Sequence, residues 1–265
     1  MTTAIRAIGY KTPNTSLRPM FIPVNTAPGA MAHLCRDFDK DYSGNNHSVQ
    51  LVGTPQKTKF GYLCDKFNGL LTTVPDGIDR TLIVVYRQPV NVTPQSYIYP
   101  FGNLSQQGTV DGVGIGIRSA QVPTGNNTVS AIIGANVKTD PYLGYAQANA
   151  QDPTSALNWQ FQSLIVNGTG NSAALYIPWQ LNELVPAALA SGANLANRSI
   201  KENGNPSFYR IGAWRDNSTP GVTAAQSKVE VAEVLVFPDA LTMAQIDVQY
   251  GYSKQFMAAQ GQTLL

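Results

Sequence analysis

Asp37, Asp39 and Asp41 set three carboxylates two positions apart, the opening of a D-x-D-x-D calcium loop. Such a loop needs glycine at its sixth position for a sharp turn and glutamate at its twelfth for bidentate coordination. Those places hold Tyr42 and Ser48, so a solvated acidic loop is expected and no metal is assigned. Glu230 and Glu233 are the next carboxylates to weigh. The two acids of a glycosidase must project into one cleft, which along a strand requires an even separation. A separation of three puts them on opposite faces, and catalysis is not expected from them.

Gly112, Gly114 and Gly116 invite a phosphate-loop reading, but no helix start follows G-V-G-I-G-I-R. Glycines alternating with Val and Ile fit a strand under a crowded face instead. His33 and His47 are the only histidines, and their spacing supports neither a nucleophile-base set nor a zinc site. Cys35 and Cys64 could pair, but a chain made in a reducing compartment keeps such thiols free and buried, the favoured reading. No cofactor is implied.

Aromatic rings beside amides and charges are what a sugar site needs, because sugar C–H faces stack on Trp and Tyr. Tyr97 and Tyr99 share one strand face, and Trp214 leads into Arg215, Asp216 and Asn217 at the start of a loop. These six are the candidate carbohydrate-binding residues. A subunit interface wants the same residue types, and that reading stays open beside the first. Trp159 and Phe161 alternate in a strand and are expected in the core.

The elements that must position these residues are mostly short strands. Apolar alternation marks 59–63, 69–73, 80–86, 96–101, 112–118, 128–137, 158–167, 173–177 and 208–214, with Gly, Pro and Asn between them. No β-α-β alternation appears, which counts against an α/β enzyme fold. Trp179 to Asn197 is expected to hold a short helix ended by Gly192. Residues 1–30, with Pro13, Pro19, Pro23 and Pro28, read as an extended arm, and 31–265 as one domain.

The closing stretch is the best specified. Val229 to Phe237 is apolar on both faces, as a well-covered strand requires, and Pro238–Asp239 stops the ladder. Thr242 is an N-cap with Gln245 three residues on, and Leu241 with Ile246 makes a hydrophobic staple. Ile246, Tyr250, Ser253 and Met257 form one stripe with Val248, Tyr252 and Phe256 beside it, and Gly261 closes the helix.

Ala232, Glu233, Val234 and Phe237, then Ala240, Leu241 and Thr242, resemble the closing segment of LamG-like, concanavalin A-like lectin/glucanase jelly rolls. Phe208 to Trp214, FYRIGAW, resembles that family's I-G strand. The resemblance covers the last fifth of the chain well and the middle loosely. It implies an all-β, two-sheet antiparallel jelly-roll sandwich, with Glu233 in a structural role near the sheet edge. It says little about ligand.

Net charge is +2 and Lys and Arg are scattered, so no field gathers nucleic acid. No apolar run approaches the ~20 residues of a membrane span. The start, MTTAIRAIGYKTPN, lacks the apolar core of a secretory signal, and the eight N-x-S/T sequons are therefore not read as glycosylation sites. Charged residues are 13% of the chain, and Asn, Gln, Ser and Thr supply polarity instead. That surface desolvates cheaply, against sugar or against other subunits. Together these features lead to a non-catalytic virion component, a phage tail or baseplate protein with a lectin-like domain for host-surface glycan. Its arm would contact other virion subunits, and a homo-oligomer or larger assembly is expected. A purely structural virion protein and a glycan-cleaving enzyme of the same fold are the alternatives.

Overall fold

The computed structural model describes residues 27–37, 40–88, 96–104, 114–121, 128–134, 142–149, 158–198, 200–202, 204–212 and 227–265. In chain order the strands begin with β1 (Met31–Leu34), β2 (Val49–Val52), β3 (Gln56–Lys57), β4 (Tyr62–Cys64), β5 (Gly69–Pro75) and β6 (Arg80–Arg87). Next come β7 (Ser96–Gly102), β8 (Ile115–Gln121), β9 (Thr128–Gly134), β10 (Tyr142–Asn149), β11 (Gln160–Asn167) and β12 (Ser172–Tyr176). The last are β13 (Val185–Pro186), β14 (Ala188–Leu189), β15 (Lys201–Glu202), β16 (Asn205–Pro206), β17 (Phe208–Ile211) and β18 (Val229–Phe237), followed by helix α1 (Met243–Ala259).

Two antiparallel eight-stranded sheets result, the all-β two-sheet sandwich expected from the pattern. The first runs β13-β12-β11-β6-β18-β4-β3, with β1 also paired to β18; the second runs β14-β10-β9-β8-β7-β17-β5-β2. β15 and β16 form a separate hairpin. Strand β18 organises the first sheet because it can be buried on both faces. Val231, Val234 and Val236 join Leu82, Val84 and Tyr86 against Ile98, Phe101, Ile117, Tyr209 and Ile211 of the second sheet. Leu235 and Phe237 face the other way, with Ile83, Val85, Trp159 and Phe161, under Ile246, Phe256 and Met257 of α1. The layers are therefore helix, first sheet, second sheet. Trp159 and Phe161 are core residues, as expected, but of the helix layer.

Helix α1 begins as its sequence dictates. The Thr242 hydroxyl accepts from the Gln245 N–H, and the Gln245 side chain accepts from the Thr242 N–H at 2.9 Å. Leu241 and Ile246 are buried together, and Gly261 has φ +72°, the left-handed conformation of a helix stop. The stripe is narrower than its apolar content suggests: Val248 is exposed, and Gln249 is buried in its place. Position decides this, since Gln249 sits three residues from Ile246 and four from Ser253, on the face turned to the sheet.

The helix expected within Trp179–Asn197 is not there. Val185–Pro186 pairs with β12 of the first sheet, and Ala188–Leu189 pairs with β10 of the second. The segment thus closes one side of the sandwich by stepping from sheet to sheet. Pro186 removes a donor that a helix would need but an edge strand can spare. Only Leu195–Asn197 winds, as a single 3-10 turn capped by Asn194. The proline-rich arm falls mostly on residues 1–26, outside the described residues; Ala27–Ala30 form a turn that buries Ala30. No helix among the described residues is long and apolar enough to cross a membrane.

Candidate functional site

Helix α1 covers the outer face of the first sheet, and among the described residues no helix packs on the outer face of the second. On that face lies a shallow hollow lined by Tyr99, Gly102, Leu104, Gly116 and Arg210, with Phe101 and Gly212 behind. Its floor is made of glycine. Gly102 pairs with Gly116 across β7 and β8, so two adjoining positions of the face carry no side chain. A Cβ on Gly102, whose φ is +151°, would sit 2.5 Å from the Gly116 Cα, and one on Gly116 would sit 2.8 Å from Leu104. The floor therefore cannot be filled without moving backbone or Leu104.

Strand parity sets the walls. Tyr209 and Ile211 are buried between the sheets, so Arg210 projects outward, opposite Gly102. Ile115 and Ile117 are likewise inward, which turns Gly116 and Arg118 outward. Between Ile98 and Phe101 the β7–β8 register shifts, so Tyr99 and Pro100 together oppose Arg118. That bulge lifts Tyr99 into the wall. The result is a ring, two guanidinium side chains and a bare floor on one face. In all eight strands of this sheet Arg118 and Arg210 are the only charged residues, and none is acidic.

Of the six sugar-site candidates, Tyr99 is in the hollow. Tyr97 lies on the same strand, but its side chain is outside the described residues, as are Trp214, Arg215, Asp216 and Asn217 entirely. The chain enters that last segment from Gly212, which lines the hollow. Arg210 and Arg118 were not singled out from sequence. Their signal was there: each is the one cation in its strand, beside an apolar residue that parity sends inward.

Glu230 and Glu233 do not lie on opposite faces. The β18–β6 register shifts between Val231 and Glu233, and this bulge turns both acids to the helix side. Glu230 accepts from Arg87 Nε at 2.7 Å and from the Thr58 hydroxyl at 2.6 Å. The Arg87 guanidinium lies 4.6 Å from the centre of the Trp159 ring. Glu233 is wholly buried beneath α1, where the Ser253 hydroxyl donates to Oε1 at 2.6 Å while Oε2 has no partner. Burial pushes its carboxyl up to about 8. β18 is flanked by β6 on one edge and by β1 and β4 on the other, so Glu233 is interior rather than near the sheet edge. Neither acid opens to a cleft.

Asp41 is occupied by its own loop. It accepts from the backbone N–H groups of Ala32, Ser43 and His47 and from the Ser43 hydroxyl. Asp37 accepts from the Tyr42 hydroxyl at 2.7 Å, and Asp39 is outside the described residues. Cys35 and Cys64 are free and buried. The Cys35 N–H bonds to the Ala232 carbonyl and Cys64 pairs with Val229, three positions away along the same edge of β18. That is about 10 Å, beyond the ~7 Å Cα limit of a disulfide.

Sequence reasoning missed a buried cluster at one end of the second sheet. Asp76 accepts two bonds from Arg198, at 2.7 and 2.8 Å, and one from the Tyr209 hydroxyl at 2.6 Å. Arg198 and Asp76 are almost wholly inaccessible. Burial, then the Asp76 charge, raises the Tyr209 hydroxyl well above its ordinary value, so it stays a donor. These residues are far apart in the chain and carry no local motif.

No protein-family model matches the chain, and no curated protein matches it in sequence. Among solved structures it is similar to the botulinum neurotoxin serotype D binding domain, at 13% identity and TM-score 0.52 over 85% of this chain and 50% of that one. The binding domain of botulinum neurotoxin serotype D/C VPI 5993 matches at 14% and 0.50, over 84% of this chain and 51% of that one. Trypanosoma rangeli sialidase in complex with 2,3-difluorosialic acid matches at 13% and 0.50, over 82% of this chain and 31% of that one. The chain therefore spans about half, or less, of the structures it resembles. The likeness is one of fold alone, a two-sheet all-β sandwich.

Proposed function

We propose that this chain is a non-catalytic glycan-binding sandwich, and that it serves a phage virion, at the tail or baseplate, in attachment to host-surface sugar. The observation that carries the glycan reading is the glycine-floored hollow with Tyr99 and Arg210 in its walls. A pyranose ring needs a flat opening, an aromatic face for its C–H groups and a directional donor for its hydroxyls. The fold likeness to a neurotoxin binding domain supports a binding role by analogy alone. Against catalysis, no carboxylate lines the hollow among the described residues, and Glu230 and Glu233 are committed elsewhere. The virion setting rests on the low charge and the Asn- and Thr-rich composition.

A glycan array of bacterial surface polysaccharides probed with the whole chain tests this reading. Binding to a defined set, lost in Tyr99→Ala with the fold intact, is the expected result. Release of reducing sugar from a bound glycan would favour the enzyme, a rival that likeness to a sialidase keeps in view. Absence of any binding would leave the structural virion role. The exposed Leu51 of edge strand β2 and the exposed Phe67 favour that role as a contact surface.

A further inference from the structure

We infer that this chain pairs with a second copy of itself along the free edge of β2, joining their second sheets into one about a two-fold axis at Gln50. The pairing goes beyond the glycan reading and does not depend on it. Four strands end the two sheets: β13 and β3 the first, β14 and β2 the second. Open edges invite pairing, and proteins blunt them with very short strands, proline or lysine. β13 and β14 are two residues each, in one segment that carries Pro186. β3 is two residues, one of them Lys57, with Pro55 just before and Lys59 just beyond. The outer edge of β1 is closed by Asp41 and Tyr42, which bond to Ala32. Of these edges only β2 runs to four residues, VQLV, with neither charge nor proline.

The register shows which backbone groups are free. The Thr73 N–H donates to the Ser48 carbonyl directly opposite, one step before the Val49–Thr72 pair. Antiparallel ladders alternate, so Gln50 and Val52 bond to β5, while the N–H and C=O of Val49 and Leu51 point outward. None of the described residues pairs with that edge. On the same flank Leu51 is 52% exposed and Phe67 51%, the two most exposed large apolar side chains among the described residues. The edge is its own complement, which selects a second copy over a foreign strand. Turned about an axis at Gln50, Val49 of each copy faces Leu51 of the other, and their outward groups exchange N–H···O bonds in both directions. Leu51 thereby gains an apolar cross-strand neighbour, and no like charges meet along the strand. The two exposed Gln50 side chains become the closest pair, with Cα atoms about 4.5 Å apart. Because that axis stands perpendicular to the sheet, the outer faces of both second sheets look the same way.

The test is sedimentation velocity of the full chain across a concentration range, where a monomer–dimer equilibrium is expected. Gln50→Lys and Gln50→Glu each set like charges across the axis, and each should weaken the dimer on the order of tenfold at low salt. Mixed in equal amounts, the two variants should pair with each other at least as well as the parent does, because the charges then oppose. An interface elsewhere on the chain would show no such rescue. Leu51→Pro removes an outward N–H without touching the bonds to β5, so it should abolish the dimer and leave the thermal midpoint in place. Gln50 is exposed, so its charged variants carry the test even if Leu51→Pro fails to fold. A parent chain that stays monomeric up to concentrations on the order of 100 μM would overturn the inference. So would a dimer indifferent to charge at Gln50, or charged variants that dissociate singly and are not rescued by mixing.

Discussion

On the outer face of the first sheet Arg87 is held by Glu230 at 2.7 Å, stacked on Trp159, and bordered by a helix that seals Glu233 from water. On the outer face of the second sheet Arg118 and Arg210 stand beside a glycine floor, with no carboxylate in any of eight strands. Both faces belong to one sandwich and both carry arginine. The difference lies in what the arginine is for. A guanidinium locked to a carboxylate inside the chain is committed to holding structure, whereas Arg210 lines a hollow. Helix α1 makes the asymmetry possible, since a sandwich covered on one side can leave its other face to a ligand.

The largest effect should come from the matched extreme, the Asp76–Arg198 pair. Asp76→Ala leaves a buried guanidinium without its carboxylate and Tyr209 without its acceptor. Loss of roughly 3–5 kcal/mol in denaturant unfolding is expected. A loss below about 1 kcal/mol would break the contrast between an arginine locked to a carboxylate and one that lines the hollow.

Next is Glu233, the helix side's buried acid. Its folded value is raised to about 8, so folding is favoured while the group holds its proton. That stability is complete below the ordinary carboxylate value and is lost as pH rises through about 8. Glu233→Gln cannot ionise, so its unfolding free energy should stay flat where the parent declines. At pH 9 the variant should be the more stable, by on the order of 3 kcal/mol. Parallel pH profiles for the two proteins would refute a protonated Glu233 beneath α1.

Gly102→Ala tests the floor of the open face. The new Cβ meets the Gly116 Cα and the Ile115 carbonyl at 2.5 Å, in a backbone conformation that favours glycine. A cost of about 2 kcal/mol, with loss of ligand binding, is expected from unfolding curves and calorimetry together. Thr242→Ala should cost about 1 kcal/mol by removing the cap of α1, and should leave sugar binding alone.

Much of the frame could be read from pattern because its signals are local. The cap at Thr242, the stop at Gly261 and the doubly buried run of β18 each declare themselves within a few residues. What misled the reading was register. A bulge at Val231–Glu233 reverses the face of an acid, and no propensity announces it. Pro186 was readable as a helix breaker, but that its flanks join two sheets depends on edges built elsewhere. The Asp76–Arg198–Tyr209 cluster is long-range and has no motif at all. Tyr99 is a candidate by residue type alone; that Arg210 lines the same hollow depends on its pairing to Gly102.

The smallest effect on stability should be the most informative. Arg210→Ala removes an outward side chain from β17 while its inward neighbours Tyr209 and Ile211 keep their packing. Arg210 is half-buried, so a cost below about 1 kcal/mol in unfolding is expected. If the open face exists to meet a ligand, affinity should nevertheless fall on the order of tenfold, because the lost donor pair is replaced by water. Arg198, twelve residues earlier in the chain, should behave in the opposite way: Arg198→Ala should unfold the protein far more readily. Measured side by side, the two variants separate an arginine that holds the sandwich together from one that lines its hollow. Should Arg210→Ala instead cost several kcal/mol, Arg210 would be a structural residue, and the second sheet's outer face would lose its claim to be the working surface.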